Sequence, residues 1–205
     1  MSNAQLPQEP PAPVEQSERE PLQKDKHATR LISVFEILEM FALYFAIGMA
    51  LLLLFFRHCP VSGDSMYPTL RDGDVLIVTT FGYTPKGGDI IVCQSPTHGL
   101  DVPLVKRVIA TEGQTVHINY ETWAVTVDDV LLDEDYINFQ AGSDMRGSDY
   151  LPDTFTVPEG CLFVMGDNRN ESLDSRRWEI GFIDNRYVLG RVSLRLLPFS
   201  EFGMF

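Results

Sequence analysis

The amino-acid sequence predicts a mainly β protein, in which one N-terminal transmembrane helix precedes a coiled, mostly antiparallel β domain. Three observations support this fold class. Residues 40–56 form an apolar run without a charged side chain, and short runs of Val, Ile and Leu alternate with Gly- and Asp-containing turns after Pro60. No amphipathic helical period of useful length follows the apolar run. A chain of 205 residues has room for one folded domain of ordinary size.

The chain begins with a segment, residues 1–30, that is predicted to be a disordered cytoplasmic tail. Its prolines lie among Gln, Glu and Ser, and such a composition buries too little apolar surface to offset the cost of ordering. Residues 31–57 are predicted to be a transmembrane anchor, because this apolar stretch reaches the ~30 Å thickness of the hydrocarbon layer. A cleavable signal peptide would have a shorter apolar region and a small-residue cleavage site, whereas RHCPVSGDS follows here.

Charges on the two sides of the anchor predict its orientation. Lys24, Lys26 and Arg30 precede the span, and Arg57 is the basic residue directly after it. The positive-inside rule therefore places the N-terminus in the cytoplasm and residues 58–205 outside the cell membrane, as a single-pass protein. The bilayer is thus one expected partner.

The β domain, residues 58–205, shows strand signals in order along the chain. Gly73-Asp74 opens the run VLIV, and Gly88-Asp89 opens IIV. The sequence WAVTV, then Asp128-Asp129, then VLL predicts a hairpin with a tight turn. Further Val/Ile/Leu runs lie at 103–110, 115–118, 123–127, 161–165 and 187–197.

Composition excludes several classes of function. Lys and Arg number 16 against 29 Asp and Glu, and a net charge of −13 repels phosphate backbones, so we expect no nucleic-acid partner. Cys59, Cys93 and Cys161 are an odd number without metal-ligand spacing, which disfavours both a disulfide framework and a zinc site. We interpret Cys93 and Cys161 as core thiols.

An acidic stretch connects the predicted hairpin to the next strands. Its carboxylates lack calcium-loop spacing and predict a solvated surface, so we expect neither a metal nor a cofactor. They are Asp133, Glu134, Asp135, Asp144, Asp149 and Asp153.

The sequence contains few signals of a conventional nucleophile system. Ser65 lies in the sequence GDSMY, which is not a GxSxG elbow. His58, His98 and His117 follow the anchor, but none lies in a recognisable motif. A Ser-His-Asp triad therefore has no positive support from sequence, although the sequence does not exclude one.

Lys106 is the more informative candidate. The chain has four lysines: two precede the anchor, Lys86 lies in a turn, and Lys106 lies in the apolar run PLVKRVIA. A lysine acts as a base only when neutral, which holds for about one molecule in a thousand at neutral pH and the usual pKa. Burial lowers a lysine pKa, and a buried strand is where that could occur. A lysine that protects a strand edge is the alternative interpretation.

Four sequence blocks in this order resemble those of bacterial type I signal peptidases. SGDSMYPTL at 62–70 is similar to the segment that holds the nucleophile, and GDVLIV at 73–78 to the next block. KRVI at 106–109 is similar to the general-base block, and GDNRNESLDSR at 166–176 to the last. The resemblance extends from the anchor to residues 196–198, and the short interval between the last two blocks indicates the compact form of the family.

The resemblance implies a role for each matching residue. Ser65 would be the nucleophile and Lys106 the general base of a Ser-Lys dyad, without any cofactor. Arg107 would hold the strand of the base, and Ser172 would hydrogen-bond the lysine nitrogen. Three further positions match supporting residues: the ion pair of Asp174 and Arg176, and Met66 beneath the nucleophile.

The expected oxyanion hole differs from that of some family members in one hydrogen-bond donor. Some members supply a donor from a side-chain hydroxyl two residues before the nucleophile, where this chain has Gly63. The backbone N–H of Ser65 is the remaining expected donor, and a backbone group or water would have to replace the second.

The resemblance implies a membrane-bound serine endopeptidase that removes signal peptides from secreted preproteins, cutting after small residues at the outer face of the membrane. Its partners would be those signal peptides, the bilayer and, as a further candidate, the secretion translocon. One alternative is a self-cleaving repressor with the same Ser-Lys logic, which the anchor and the charge disfavour. The other is a non-catalytic membrane-tethered β domain, such as a degenerate peptidase or an assembly factor.

Overall fold

The computed structural model describes residues 26–96, 100–146 and 151–205, without the side chains of 26–33, 52–55, 100 and 101. Helix α1 spans Lys26–Phe55. Its window Val34–Leu51 has a mean hydropathy of 1.9 and is long and apolar enough to cross a membrane. The chain divides into two compact units at Gly48, within this helix.

The helix begins earlier than the sequence predicts. Residues 26–30, assigned above to the disordered tail, are helical, and residues 56–57, assigned to the anchor, already belong to the first strand. Lys, Ala and Arg are good helix formers, so the basic residues before the apolar run extend the helix instead of ending it. The predicted disorder of residues 1–25 lies outside the described residues.

Eight strands form the larger sheet, in the order β1-β2-β11-β3-β4-β9-β10 with β12 paired to β11. Every pairing in it is antiparallel. The strands are β1 Phe56–Pro60, β2 Val75–Thr79, β3 Ile90–Ser95, β4 Leu100–Thr111, β9 Cys161–Met165, β10 Ile183–Asp184, β11 Val188–Leu197 and β12 Gly203–Met204.

Four strands form the smaller sheet, which is also antiparallel and has the order β7-β6-β5-β8. They are β5 Thr115–Ile118, β6 Val125–Val127, β7 Val130–Leu131 and β8 Thr154–Thr156. The two sheets together confirm the predicted fold class, a mainly antiparallel β domain preceded by one apolar helix.

The predicted hairpin is present between β6 and β7. Asp128 and Asp129 have φ angles of 52° and 65°, and both lie in the left-handed region that a two-residue hairpin turn of this type requires. The Asp128 carboxylate accepts hydrogen bonds from the backbone N–H of Thr115 and from the Gln114 amide. These contacts fix the turn against β5.

Three buried clusters hold the domain together. Cys93 is fully buried in one of them, as predicted for a core thiol, and all three cysteines are free. Cys161 agrees with the prediction only in part: it packs against another of the clusters but is half-buried, because it starts β9 opposite the edge strand β10.

The acidic connection between the hairpin and β8 is only partly the solvated surface that the sequence predicts. Asp133, Asp135, Asp144 and Asp153 are exposed, whereas Asp149 lies outside the described residues. Glu134 contradicts the prediction: its carboxylate pairs with Arg169, and both side chains are buried. Within the described residues, no cluster of His, Cys, Asp and Glu has the arrangement of a metal site.

The turn of the hairpin yields a stability prediction. We expect Asp129→Gly to raise the midpoint of thermal unfolding slightly, because glycine adopts a φ of 65° without the steric cost of a Cβ. Asp129→Ala should lower the midpoint, since alanine has the Cβ but not the polar side chain that tolerates this conformation. Calorimetry of the full chain in detergent measures both. Equal midpoints for the Gly and Ala variants would contradict this assignment.

Candidate active site

The loop between β1 and β2 carries Ser65, and its buried side chains hold it against the core. Met66 and Leu70 are fully buried in a core cluster, and the N–H of Leu70 donates to the Met66 carbonyl over 2.9 Å. The N–H of Tyr67 donates to the Asp64 carbonyl over 3.0 Å, which closes a turn around Ser65. Ser65 itself is half-exposed at the top of this turn.

Met66 and Gly63 each help to hold the loop of Ser65 in place. Met66 is only 1% exposed, so it supports the loop from the core and does not line an open pocket. Gly63 has a φ of 83°, which favours glycine, and its N–H donates to Asp72 Oδ1 over 2.8 Å. The Gly63 N–H therefore already has a partner within the loop.

Lys106 lies in β4 opposite Ile91 of β3, and its side chain leaves the sheet on the face that carries the cluster of Ile91, Cys93 and Val108. It is 2% exposed. Its Nζ lies 2.7 Å from Ser65 Oγ and 2.9 Å from the carbonyl oxygen of Val105. The alternative of a strand-edge lysine in solvent is therefore wrong, whereas Lys86 is exposed in its turn as expected.

The surroundings of Lys106 favour the neutral amine. Burial lowers the pKa of Lys106 because the ammonium form loses its hydration, and the charge of Arg176 acts in the same direction. The carboxylates of Asp174 and Asp167 oppose this effect without reversing it.

Ser172 does not make its expected contact with Lys106. Its Oγ is buried and has no hydrogen-bond partner among the described residues, and Lys106 donates to Ser65 and Val105 instead. Ser172 packs against Gly166, where an added Cβ would collide with both the Ser172 side chain and the Ser65 carbonyl. The glycine thus lets Ser172 approach the nucleophile loop, but the hydroxyl is not aimed at the lysine.

Asp174 and Arg176 form the expected ion pair, and it is buried. Arg176 Nε lies 2.8 Å from Asp174 Oδ1, and its Nη2 lies 2.9 Å from Oδ2. Burial alone would raise the pKa of Asp174, but the Arg176 charge and the N–H of Gly166 hold the pKa below its usual value. The nearby Ser172 hydroxyl adds to that lowering without forming a hydrogen bond of ordinary geometry.

Arg107 holds the other side of the site. Its Nε and Nη2 donate to the two oxygens of Asp167 over 2.8 and 2.7 Å, and its Nη1 donates to the Gly88 carbonyl. Its guanidinium lies 3.8 Å from the centre of the Tyr136 ring. Arg107 therefore links β4 to the block at 166–170, as its expected role in holding the strand requires.

Sequence reasoning missed three residues of this network: Glu134, Asn138 and Asn168. Glu134 pairs with Arg169, whose Nε donates to the Gly166 carbonyl. Asn138 contacts Asn168, which in turn contacts the loop of Ser65. Asn168 lies in the block at 166–176, but its sequence gives no sign of this contact. Glu134 and Asn138 lie in the acidic connection, about 30 residues before their partners, so only the fold brings them together.

The described histidines lie elsewhere. His117 Nδ1 contacts Thr154 in the smaller sheet, and His58 lies in the exposed strand β1. Neither of these two hydrogen-bonds Ser65, and His98 lies outside the described residues. A hydroxyl and a buried amine within hydrogen-bonding distance are the groups that this site offers for nucleophilic chemistry.

Sequence comparison identifies relatives of this chain. Residues 34–197 match the family described as signal peptidase, peptidase S26. A probable signal peptidase I-1 of Synechocystis sp. is 40% identical over 169 residues, which cover 77% of this chain and 81% of that protein. Signal peptidase IB of Staphylococcus aureus is 35% identical over 158 residues, which cover 69% and 78%.

Among solved structures, a signal peptidase I from Enterococcus faecalis aligns with a TM-score of 0.44 at 32% identity, covering 54% of this chain and 98% of that chain. The family match spans most of the chain, and the curated relatives align over most of their own length. This chain belongs to the signal peptidase family, peptidase S26.

Proposed function

We propose that this chain is a membrane-bound endopeptidase that removes signal peptides from secreted preproteins with a Ser-Lys dyad. The contact that carries the proposal is the 2.7 Å distance between Lys106 Nζ and Ser65 Oγ, made by a lysine that is 2% exposed. The family supports the substrate class, and the buried amine supports the chemistry.

In the proposed mechanism, neutral Lys106 accepts the hydroxyl proton as Ser65 Oγ attacks the scissile carbonyl carbon. The tetrahedral intermediate collapses, the carbon–nitrogen bond breaks, and the Lys106 ammonium returns the proton to the leaving amine. Water then attacks the ester formed on Ser65 while Lys106 accepts its proton. The carboxylic acid leaves, and the proton on Lys106 restores the Ser65 hydroxyl.

The substrate would bind as an extended strand beside β4. The pairing of β9 with β4 starts at Arg107, so residues 102–105 extend beyond β9 directly before Lys106. An extended peptide can add to such a segment through backbone hydrogen bonds, with alternate side chains in shallow pockets that admit small residues. Cleavage after small residues is the specificity that the family resemblance implies for this site.

The proposed position of the site is near the outer surface of the cell membrane. The strand β1 follows the helix without a linker, and eight residue steps from Arg57 to Ser65 reach at most about 29 Å. The scissile bond would therefore lie just beyond the apolar helix of a signal peptide. The bilayer is a partner in this arrangement, and the secretion translocon is a candidate partner that would deliver the preprotein.

Two other functions compete with this proposal. A non-catalytic tethered β domain gives no reason to bury a lysine against a serine, because an unpaired buried amine costs folding free energy. A self-cleaving repressor would need a DNA-binding module, which a net charge of −13 disfavours.

The first prediction concerns the two groups of the dyad. We expect Ser65→Ala and Lys106→Met to reduce cleavage of a purified preprotein by about 10³-fold or more, because each removes one half of a cooperating pair. Lys86→Met is the matched control, since it removes an exposed lysine of the same domain. Near-normal activity in either dyad variant would remove the mechanism.

The second prediction concerns pH. Since Lys106 acts as a neutral base, kcat/KM should rise with pH through the ionisation of Lys106 and fall off on its acidic side. The profile is measured with a peptide substrate that does not titrate in this range. A rise near pH 6.5 that His98→Ala or His117→Ala abolishes would instead indicate a histidine base, whose usual pKa is about 6.5.

The third prediction concerns stability, independent of activity. Because burial lowers the Lys106 pKa, the unfolded chain binds more protons than the folded chain between that lowered pKa and the ordinary value of 10.5. Folding stability of the parent therefore rises with pH in this window. We expect Lys106→Met to unfold at a higher temperature than the parent at pH 7, and this advantage should shrink as the pH approaches 10.5.

The same advantage at every pH would show that Lys106 is not held neutral by burial. Lys86→Met serves again as the control, because it removes a lysine that is exposed in the folded domain.

A further inference from the structure

The peptide bond between Asp64 and Ser65 carries one group expected to take part in catalysis and one group that controls its direction. One end is the Asp64 carbonyl oxygen, and the other is the Ser65 N–H, the expected oxyanion donor. This bond is trans, so its C=O and N–H point in opposite directions. A group that fixes the direction of the Asp64 carbonyl therefore also fixes the direction of the Ser65 N–H.

Asn168 holds both carbonyls that flank the nucleophile. Its side-chain Nδ2 donates to the Asp64 carbonyl over 3.0 Å, and its backbone N–H donates to the Ser65 carbonyl over 3.0 Å. Asn168 thereby contacts the peptide planes on both sides of the Ser65 Cα, and it shares the Asp64 carbonyl with the N–H of Tyr67, which donates to that oxygen over 3.0 Å. Asn168 is itself buried.

The Asn168 carboxamide is held in turn. A carbonyl oxygen can only accept, so the group that faces Asp64 is the NH₂. The Oδ1 on its other side accepts from Asn138 Nδ2 over 3.1 Å, and the N–H of Asn138 donates to the Asp167 carbonyl over 2.9 Å. This chain of hydrogen bonds starts in the connection after β7 and ends at the nucleophile loop.

The neighbours of Asn168 leave it little freedom. Asp167 is held by Arg107 through two hydrogen bonds, and Arg169 pairs with Glu134 through a buried contact. Asn168 therefore sits between two residues that are each fixed by an ion pair.

We propose that Asn168 is a positioning residue that orients the Ser65 N–H towards the oxyanion of the tetrahedral intermediate. The proposal deepens the proposed function and rests on it. Gly63 has no hydroxyl, and its N–H donates to Asp72 instead, so the Ser65 N–H carries more of the stabilisation. A hydrogen bond to the Asp64 carbonyl also polarises the peptide and makes its N–H a better donor.

The central test compares Asn168→Ala with the parent in the full chain, using a peptide substrate. We expect kcat/KM to fall by about 10- to 100-fold, less than the loss of an oxyanion donor itself can cost, because the N–H remains but only the Tyr67 hydrogen bond still holds the Asp64 carbonyl. The pH at which activity rises should not change, because Lys106 is untouched.

Inhibitor binding separates orientation of the oxyanion donor from a structural defect. A peptide boronic acid forms a tetrahedral adduct on serine with an oxygen in the oxyanion position, and its Ki should weaken by a factor similar to the loss in kcat/KM. Binding of an uncleaved peptide, measured in Ser65→Ala and in Ser65→Ala/Asn168→Ala, should be the same, because the ground state does not use the donor.

Three further variants keep the test decisive if Asn168→Ala does not fold. Asn168→Asp is nearly isosteric but places an acceptor against the Asp64 carbonyl, so its loss should equal or exceed that of alanine. Asn138→Ala frees the Asn168 carboxamide to turn and should cause a smaller loss.

Asn170→Ala is the matched control. Asn170 is buried in the same segment and accepts from the Arg146 N–H, so its loss should destabilise the fold while kcat/KM stays near the parent value.

Parent-like kcat/KM in both Asn168→Ala and Asn168→Asp would overturn the inference, and so would a loss of activity with unchanged boronic acid affinity. The proposed function fails separately, when Ser65→Ala retains activity. If Ser65→Ala is inactive and the Asn168 variants are normal, only the inference about Asn168 is lost.

Discussion

A buried lysine amine in contact with a serine hydroxyl is the interaction on which the rest of the site depends. An ammonium group is costly to remove from water, and the folded chain avoids most of that cost if Lys106 loses its proton. The apolar face of β3 and β4 supplies the burial, and the loop of Ser65 covers the end of the side chain. The fold thus lowers the pKa of Lys106 at the cost of stability, a trade-off that is typical of functional sites.

The carboxylates of Asp174 and Asp167 are buried near Lys106 and would favour its charged form if they had no partners. A free carboxylate stabilises an ammonium nearby and would raise the lysine pKa. Each of the two has an arginine of its own: Asp174 pairs with Arg176, and Asp167 pairs with Arg107. The pair of Asp174 and Arg176 therefore does more than support the wall of the site, because the Arg176 charge opposes the effect by which the carboxylates raise the Lys106 pKa.

Local patterns in the sequence were enough to predict the fold class, the hairpin at Asp128-Asp129 and the unusual position of Lys106. Each depends on neighbours in the chain: alternating strand residues, turn residues with positive φ, or one lysine in an apolar run. Three features could not be predicted in this way. They are the start of the helix, the buried pair of Glu134 and Arg169, and the Ser172 hydroxyl, which has no hydrogen-bond partner among the described residues. The last two depend on which distant segments pack together, and a carboxylate in an acidic stretch gives no sign that its partner is a buried arginine.

The most direct measurement is an NMR titration of lysine side chains in the full chain, labelled with ¹³C and ¹⁵N lysine in a lipid nanodisc. The chain has only four lysines, so Lys106 can be assigned from the signal that disappears in Lys106→Met. The account predicts that this signal titrates below the ordinary lysine value of 10.5 and reports a neutral amine at the pH of activity. A Lys106 signal that titrates at or above that ordinary value would contradict it.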